Sequence, residues 1–326
     1  MKICIFGAGA IGAYLGAELA KVGVDVSLVA RGPHLEAMQM HGVRVIKDDK
    51  ETVTRVRCTN DPHELGKQDY VIVGLKSHQM SDAAEKMLPL LREDTGVVTA
   101  VNGIPYWYFY KHGGHLEGRT LEAVDPGGKQ WKLLRPERAI GCIVYPATEV
   151  VEPGVIQHIY GNKFPIGEAS GERTDRIEKL SEKFTAAGMQ APIQDDIRNE
   201  LWLKLWGNLS FNPISALTHG TLLDICTDPD TRSVARAMMV EAQNIADRLG
   251  IHFRVDVERR INGAQKVGAH KTSMLQDLER GRKMEIAPLI TVVQELGRML
   301  DAPTPTIDIV HALICLRAQV VENELK

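Results

Sequence analysis

Cysteines are few and form no motif. The five of them, Cys4, Cys58, Cys142, Cys226 and Cys315, are scattered, the count is odd, and no CxxC occurs. That argues against a disulfide framework and for reduced, mostly buried thiols in a cytosol. Long apolar runs are also missing: none approaches the ~20 residues needed to span a bilayer. The N-terminus has a single Lys before it enters a strand and a glycine turn, so the apolar core and cleavage site of a signal peptide are not expected. No excess of charge exists either. The net charge of -3 gives no electrostatic case for nucleic acid or an anionic membrane. No His/Cys/Asp cluster has metal-ligand spacing, so no metal is expected. What is present is ordinary for a globular chain: 44% apolar and 25% charged residues. The 326 residues suggest two domains, or one domain with a large extension, in a cytoplasmic protein.

The first part of the chain alternates strand and helix signals. Lys2 to Phe6 is a short apolar run stopped by glycines, Ile11 to Val22 has helical periodicity, and Val24 to Ala30 reads as a second strand. Val43–Ile46 and Val53–Val56 suggest a hairpin around Lys47-Asp48-Asp49-Lys50. Asp69–Leu75 and Gly96–Val101 read as further buried strands. This alternation predicts a mainly parallel sheet covered by helices on both faces. Ala139 to Gly167 is β-rich with a turn at Glu152-Pro153-Gly154. A helix is expected over Arg173–Ala187, with a short strand near Ala191. Beyond about Gln194 only helical patterns are visible. The expected class is therefore α/β: a Rossmann-type domain over residues 1–193 and an all-helical domain over 194–326.

Gly7-Ala8-Gly9-Ala10-Ile11-Gly12 is a GxGxxG sequence. Such a motif alone is weak, but this one comes after a strand, opens a helix and leads to a second strand within thirty residues. Gly7 permits the tight turn, Gly9 lets backbone approach a pyrophosphate, and Gly12 lets helix and sheet pack closely. The helix N-terminus then offers unpaired N–H groups to the phosphates. The second strand ends at Arg31, where NAD-binding versions usually place an acid. A guanidinium there pairs with a 2′-phosphate, so NADP(H) is favoured over NAD(H). Lys76 and Gln79 come directly after the strand DYVIVGL. Lys76 is placed either to meet a phosphate or ribose, or as a solvated lysine at a helix start. Asn102 comes after the strand GVVTAV, where an amide reaches both nicotinamide and substrate.

The segment Ile197 to Pro213, IRNELWLKLWGNLSFNP, is very apolar, and Lys204, Asn208 and Asn212 interrupt it at i, i+4 and i+8. At about 100° per residue the three lie within ~80° of one another on a helix. Buried without partners they would cost of order 1–3 kcal/mol each. A bound carboxylate with a carbonyl would satisfy them. The plainer reading leaves Lys204 exposed and gives the Asn residues capping roles, but three aligned polar groups between tryptophans favour the ligand. In Thr272–Leu278, Ser273 with Gln276 fits a capping box. Glu285 lies in a mostly apolar stretch, which suggests a partly buried carboxylate able to pair with Lys204 from the other helix.

The segments GAGAIG, ELWLKLWGNLSFNP and SMLQDLERGRKMEI, in this order and spacing, resemble the ketopantoate reductase family over nearly the whole chain. The resemblance implies an active site in a cleft between a Rossmann-type domain and a helical one. It also implies NADPH-dependent reduction of 2-dehydropantoate to (R)-pantoate, on the route to pantothenate and coenzyme A. Carried over by motif, Lys204 matches the catalytic lysine and Glu285 its acidic partner. Asn208, Asn212 and Ser273 match substrate-binding positions. Asn102 matches the Asn that touches nicotinamide and substrate, and Arg31 and Lys76 match cofactor contacts.

The chain departs from the family pattern after Asn102-Gly103, where Ile104-Pro105 leads into Tyr106-Trp107-Tyr108-Phe109-Tyr110. These five consecutive aromatics stand in a chain with only 5% aromatic residues. Either they pack on the sheet as a core helix, or they wall a substrate pocket or form a lid. The next segment, Lys111–Arg138, is longer than the usual connection. Two other readings thus stand beside the first: a reductase of a different 2-oxo acid, or a non-catalytic NADP(H)-binding regulator. The apolar C-terminal helices allow a homodimer.

Overall fold

A computed structural model describes residues 1–324. The chain divides into two compact units. The first holds Met1–Val101, Pro105–Thr120 and Asp125–Ile197; the second holds Asn102–Ile104, Leu121–Val124 and everything from Arg198 onward. No helix among the described residues is long and apolar enough to cross a membrane.

The strands of the first unit are β1 (Lys2–Phe6), β2 (Asp25–Val29), β3 (Val43–Lys47), β4 (Lys50–Thr54), β5 (Arg57–Thr59), β6 (Tyr70–Val73), β7 (Gly96–Thr99), β8 (Ala139–Cys142), β9 (Ala147–Glu152), β10 (Val155–Tyr160) and β11 (Ile166–Glu168). Seven form one sheet in the order β11-β8-β7-β6-β1-β2-β5. All its pairings are parallel except β11 on β8. Ile3, Cys4, Ile5 and Phe6 of β1 are all buried, as expected for a strand covered on both faces. The chain leaves β1 to one side for β2 and β5, then returns to the other side for β6, β7 and β8. The carboxyl ends of β1 and β6 therefore flank the switch point where such sheets bind ligands.

The hairpin is present but starts its second arm earlier than the pattern suggested. Asp48 and Asp49 adopt φ of 50° and 57°, so a two-residue turn sets Lys47 opposite Lys50. The hairpin does not extend the main sheet. β3 pairs in parallel with β10, giving a second sheet in the order β4-β3-β10-β9. Helix α1 (Ala10–Lys21) contacts both sheets. Gly12 and Gly16 bring it against Ile5 and Leu28, and on its opposite face Tyr14 packs on His158 of β10 with ring centroids 5.0 Å apart. Burial on both faces explains why α1 is apolar nearly all round.

Four further helices complete this unit: α2 (Gly32–His41), α3 (Met80–Met87), α4 (Lys129–Leu134) and α5 (Asp175–Ala186). The aromatic run forms successive turns rather than a helix. Tyr106, Trp107, Tyr108 and Phe109 are buried, Trp107 Nε1 donates to Thr99 Oγ1 at 2.9 Å, and Tyr108 and Phe109 meet edge to face. Further along, buried Asp125 accepts from the N–H groups of Gln130 and Trp131 and fixes the start of α4.

The second unit is built from helices α6 (Ile197–Thr218), α7 (Leu222–Thr227), α8 (Pro229–Arg248), α9 (Val257–Val267), α10 (Ser273–Glu279), α11 (Val292–Met299) and α12 (Pro305–Glu324). A π-helical turn, Ala287–Thr291, leads into α11.

Candidate active site

The glycine loop joins β1 to α1. Gly7 has φ of +97°, and the N–H groups of Gly7 and Ala8 both donate to the Val29 carbonyl, at 3.1 and 3.0 Å. A Cβ at Gly12 would lie 2.4 Å from the Gly7 carbonyl oxygen, so that residue is glycine because the helix start rests on the loop. A Cβ at Gly9 would meet nothing within 4 Å. Gly9 is thus dispensable for packing, and the space above it is open. No side chain caps the first turn of α1, where Gly9, Ala10 and Ile11 stand. Open space over uncapped N–H groups suits a phosphate. Arg31 is exposed at the end of β2, at the N-cap of α2. Lys76 is half-buried just past β6, and its N–H donates to Gln79 Oε1 at 3.3 Å. The loop, Arg31 and Lys76 thus all lie just past the carboxyl ends of neighbouring strands, and they fit a phosphorylated dinucleotide.

His34 was not singled out by the sequence. Its Nδ1 accepts from the Gly154 N–H at 2.9 Å. Burial lowers its pKa, and the Ala8 carbonyl opposes that shift. His34 therefore ties α2 to the β9–β10 turn. Nothing local in the sequence signals this contact.

A second group of polar residues gathers in the helical unit. Lys204 Nζ donates to Asn102 Oδ1 at 2.8 Å, and Asn102 Nδ2 donates to Glu285 Oε2 at 3.1 Å. Glu285 is buried, with 4% of its surface exposed. The amide of Asn102 bridges cation and carboxylate, so the expected pairing of Lys204 with Glu285 includes a third residue. Gly103 and Ile104 fix the backbone of Asn102. Gly103 has φ of +82°, and a Cβ there would lie 2.1 Å from the Pro288 carbonyl oxygen. The Ile104 N–H donates to that same oxygen at 3.2 Å. Pro288 lies in the π-helical turn, a local widening often found at functional sites.

Helix α6 is continuous through Lys204, Asn208 and Asn212, which places all three on one stripe. Asn208 is half-buried; Asn212 is buried, and its Nδ2 has no hydrogen-bond partner among the described residues. Ser273 is exposed and is the first residue of α10. The expected cap is corrected here. Thr272 is the N-cap, its side chain accepting from the Leu275 N–H at 3.3 Å. Gln276 Nε2 donates to the Lys271 carbonyl instead of closing a capping box. The extended backbone of Thr272 (φ −64°, ψ 157°) brings its hydroxyl under the helix start and leaves the Ser273 hydroxyl outside the cap.

Gly207, between Lys204 and Asn208, is also informative. Glycine inside a helix costs about 1 kcal/mol relative to alanine. Here a Cβ would lie 2.1 Å from Nη2 of Arg260, a residue of α9. The glycine makes room for a guanidinium. Sequence reasoning passed over Arg260, and Gly207 in an otherwise bulky helix was the one available signal.

A parallel sheet with a glycine loop at its switch point defines the class of dinucleotide-binding oxidoreductases, and comparison narrows it. The family model described as Ketopantoate reductase PanE/ApbA matches residues 3–171, and that of its C-terminal part matches residues 196–318. The chain belongs to the ketopantoate reductase family. It is 58% identical over 315 residues to a 2-dehydropantoate 2-reductase of Mesorhizobium japonicum, covering 96% of this chain and 97% of the relative. Among solved structures, a candidate ketopantoate reductase from Ralstonia solanacearum MolK2 superposes with a TM-score of 0.94 at 38% identity, covering 98% of each chain. A D-mandelate dehydrogenase solved with NADH and anilino(oxo)acetate has the same fold at 20% identity, with a TM-score of 0.84 and 99% of each chain covered.

Proposed function

We propose that the chain catalyses NADPH-dependent reduction of 2-dehydropantoate to (R)-pantoate, with Lys204 as general acid. The observation that carries this reading is the array Lys204–Asn102–Glu285, set in a chain of this family. The reduced nicotinamide, when bound, supplies the hydride that turns the C2 carbonyl into an alcohol. Lys204 hydrogen-bonds the carbonyl oxygen, stabilises the negative charge that develops on it, and delivers the proton that completes the alcohol. Asn102 aims the ammonium. Glu285 holds the Asn102 amide in the orientation that presents Oδ1 to Lys204. Asn208, Asn212 and Ser273 offer the amides and hydroxyl that orient the substrate, and the orphaned Nδ2 of Asn212 is a donor ready for it. In the first unit, residues 7–12 receive the pyrophosphate, Arg31 reads the 2′-phosphate, and Lys76 meets phosphate or ribose. The scattered free cysteines support a cytoplasmic location.

The test is steady-state kinetics with 2-dehydropantoate and a panel of other 2-oxo acids, each with NADPH and NADH. The highest kcat/KM is expected for 2-dehydropantoate with NADPH. A much higher value for another acid would replace the substrate, and equal efficiency with NADH would remove the role of Arg31. Replacing Arg31 by Ala should raise the KM for NADPH roughly 10- to 100-fold and leave that for NADH nearly unchanged.

A further inference from the structure

Lys204 and its stripe leave one part of the substrate without a partner. A 2-oxo acid presents a carbonyl and, on the adjacent carbon, a full negative charge. Lys204 is committed to the carbonyl oxygen. Asn208, Asn212 and Ser273 can donate hydrogen bonds but bring no positive charge.

Arg260 stands beside Gly207 of the helix that carries Lys204. Its Nη2 lies 2.1 Å and its Cζ 3.0 Å from where a Cβ of residue 207 would be, so the guanidinium lies against the backbone of α6 at Gly207. A helical Cβ leans toward the N-terminus, so this position overlies the turn that carries Lys204. Residues three and four apart on a helix have β-carbons about 5–6 Å apart. The guanidinium is thus within roughly 8 Å of the β-carbon of Lys204, on the flank of the stripe opposite Asn212. A planar fork of N–H donors matches a carboxylate with two parallel hydrogen bonds, which a lysine does not reproduce.

We propose that Arg260 is a specificity-determining residue that binds the carboxylate of the 2-oxo acid while Lys204 takes its carbonyl. The proposal rests on the reading of the Lys204 stripe as the substrate site. Gly207 is part of the same device, because any side chain there would displace the guanidinium. Arg260 then accounts for the choice of an acid over an uncharged ketone.

The test compares the 2-oxo acid with its uncharged C1 amide in the wild-type enzyme and in Arg260→Met, Arg260→Lys and Gly207→Val. In Arg260→Met the KM for the acid should rise roughly 10- to 100-fold, with kcat within a few-fold and the KM for NADPH unchanged. The amide should be reduced about as well as before, so the preference for acid over amide falls by the same factor. Arg260→Lys should recover part of the preference. Gly207→Val, which keeps the charge but moves it, should lose it. If acid and amide decline together in Arg260→Met, with the preference intact, Arg260 only supports the packing of α9 on α6 and the proposal is overturned. Should Arg260→Met fail to fold, Arg260→Lys decides: full preference with a lysine sinks the bidentate role. A wild-type enzyme that reduces no 2-oxo acid would instead overturn the functional reading beneath it.

Discussion

Lys204 Nζ and Asn102 Oδ1 lie 2.8 Å apart, although 102 positions separate them in sequence. The amide is held in turn by Glu285 and by the docking of Gly103 and Ile104 on Pro288. The ammonium therefore meets a rigid acceptor, which is what a positioned proton donor needs.

Two substitutions read this relationship. Lys204→Ala removes the acid and should lower kcat on the order of 10²- to 10⁴-fold. Asn102→Ala keeps the acid but releases it, and a loss of roughly 10- to 100-fold is expected for a hydrogen bond to a charged group. Single-turnover rates of NADPH oxidation measure both. Undiminished turnover in Lys204→Ala would remove Lys204 as the general acid.

The two glycines of the cofactor loop predict phenotypes that differ in stability. Gly9→Ala places a methyl group where nothing lies within 4 Å, so the thermal midpoint should not move. NADPH binding should nevertheless weaken at least tenfold, because the methyl occupies the cofactor's space. Gly12→Ala sets a Cβ 2.4 Å from the Gly7 carbonyl, a backbone atom with no room to yield. It should lower stability by about 1–3 kcal/mol as well as binding. Calorimetric melting and NADPH titration of both variants check the contrast. A destabilised Gly9→Ala protein that still binds NADPH normally would refute it.

Acid should loosen the seat of α2 on the β9–β10 turn through His34. Burial lowers its pKa below the ordinary value of 6.5. The folded state thus binds fewer protons than the unfolded chain between that lowered pKa and about 6.5. Stability is fully present above about pH 6.5 and declines as pH falls through the folded pKa. His311, lowered for the same reason, adds to the decline. Melting curves between pH 8 and pH 5 should show a smaller acid-side loss in His34→Gln than in wild type. Identical pH dependences would show that His34 contributes nothing.

Much of the fold and site was legible because it is local. The glycine loop, its strand and its helix lie within thirty residues, and steric rules tie each glycine to a turn, an open face or a close approach. The stripe of Lys204, Asn208 and Asn212 is set by helical periodicity alone. Positions one residue apart are less secure. Thr272 rather than Ser273 caps α10, since both carry hydroxyls and only the backbone angles choose between them. The aromatic run is likewise ambiguous in sequence, because dense apolarity has no period when every position is bulky.

The sequence by itself determined the cofactor loop, the α/β class of the first unit, the helical second unit and the cation on α6. The tertiary structure decided what that cation meets. Asn102 ends a sheet strand in sequence, yet it belongs with the helical unit, where it bridges Lys204 and Glu285. Arg260 reads as one more charge on an amphipathic helix until Gly207 admits it beside the stripe. His34 gains its place from a turn 120 residues away. Hydrogen bonds and steric fit act through space over a few ångströms, and chain folding, which local patterns do not encode, decides which distant residues come that close.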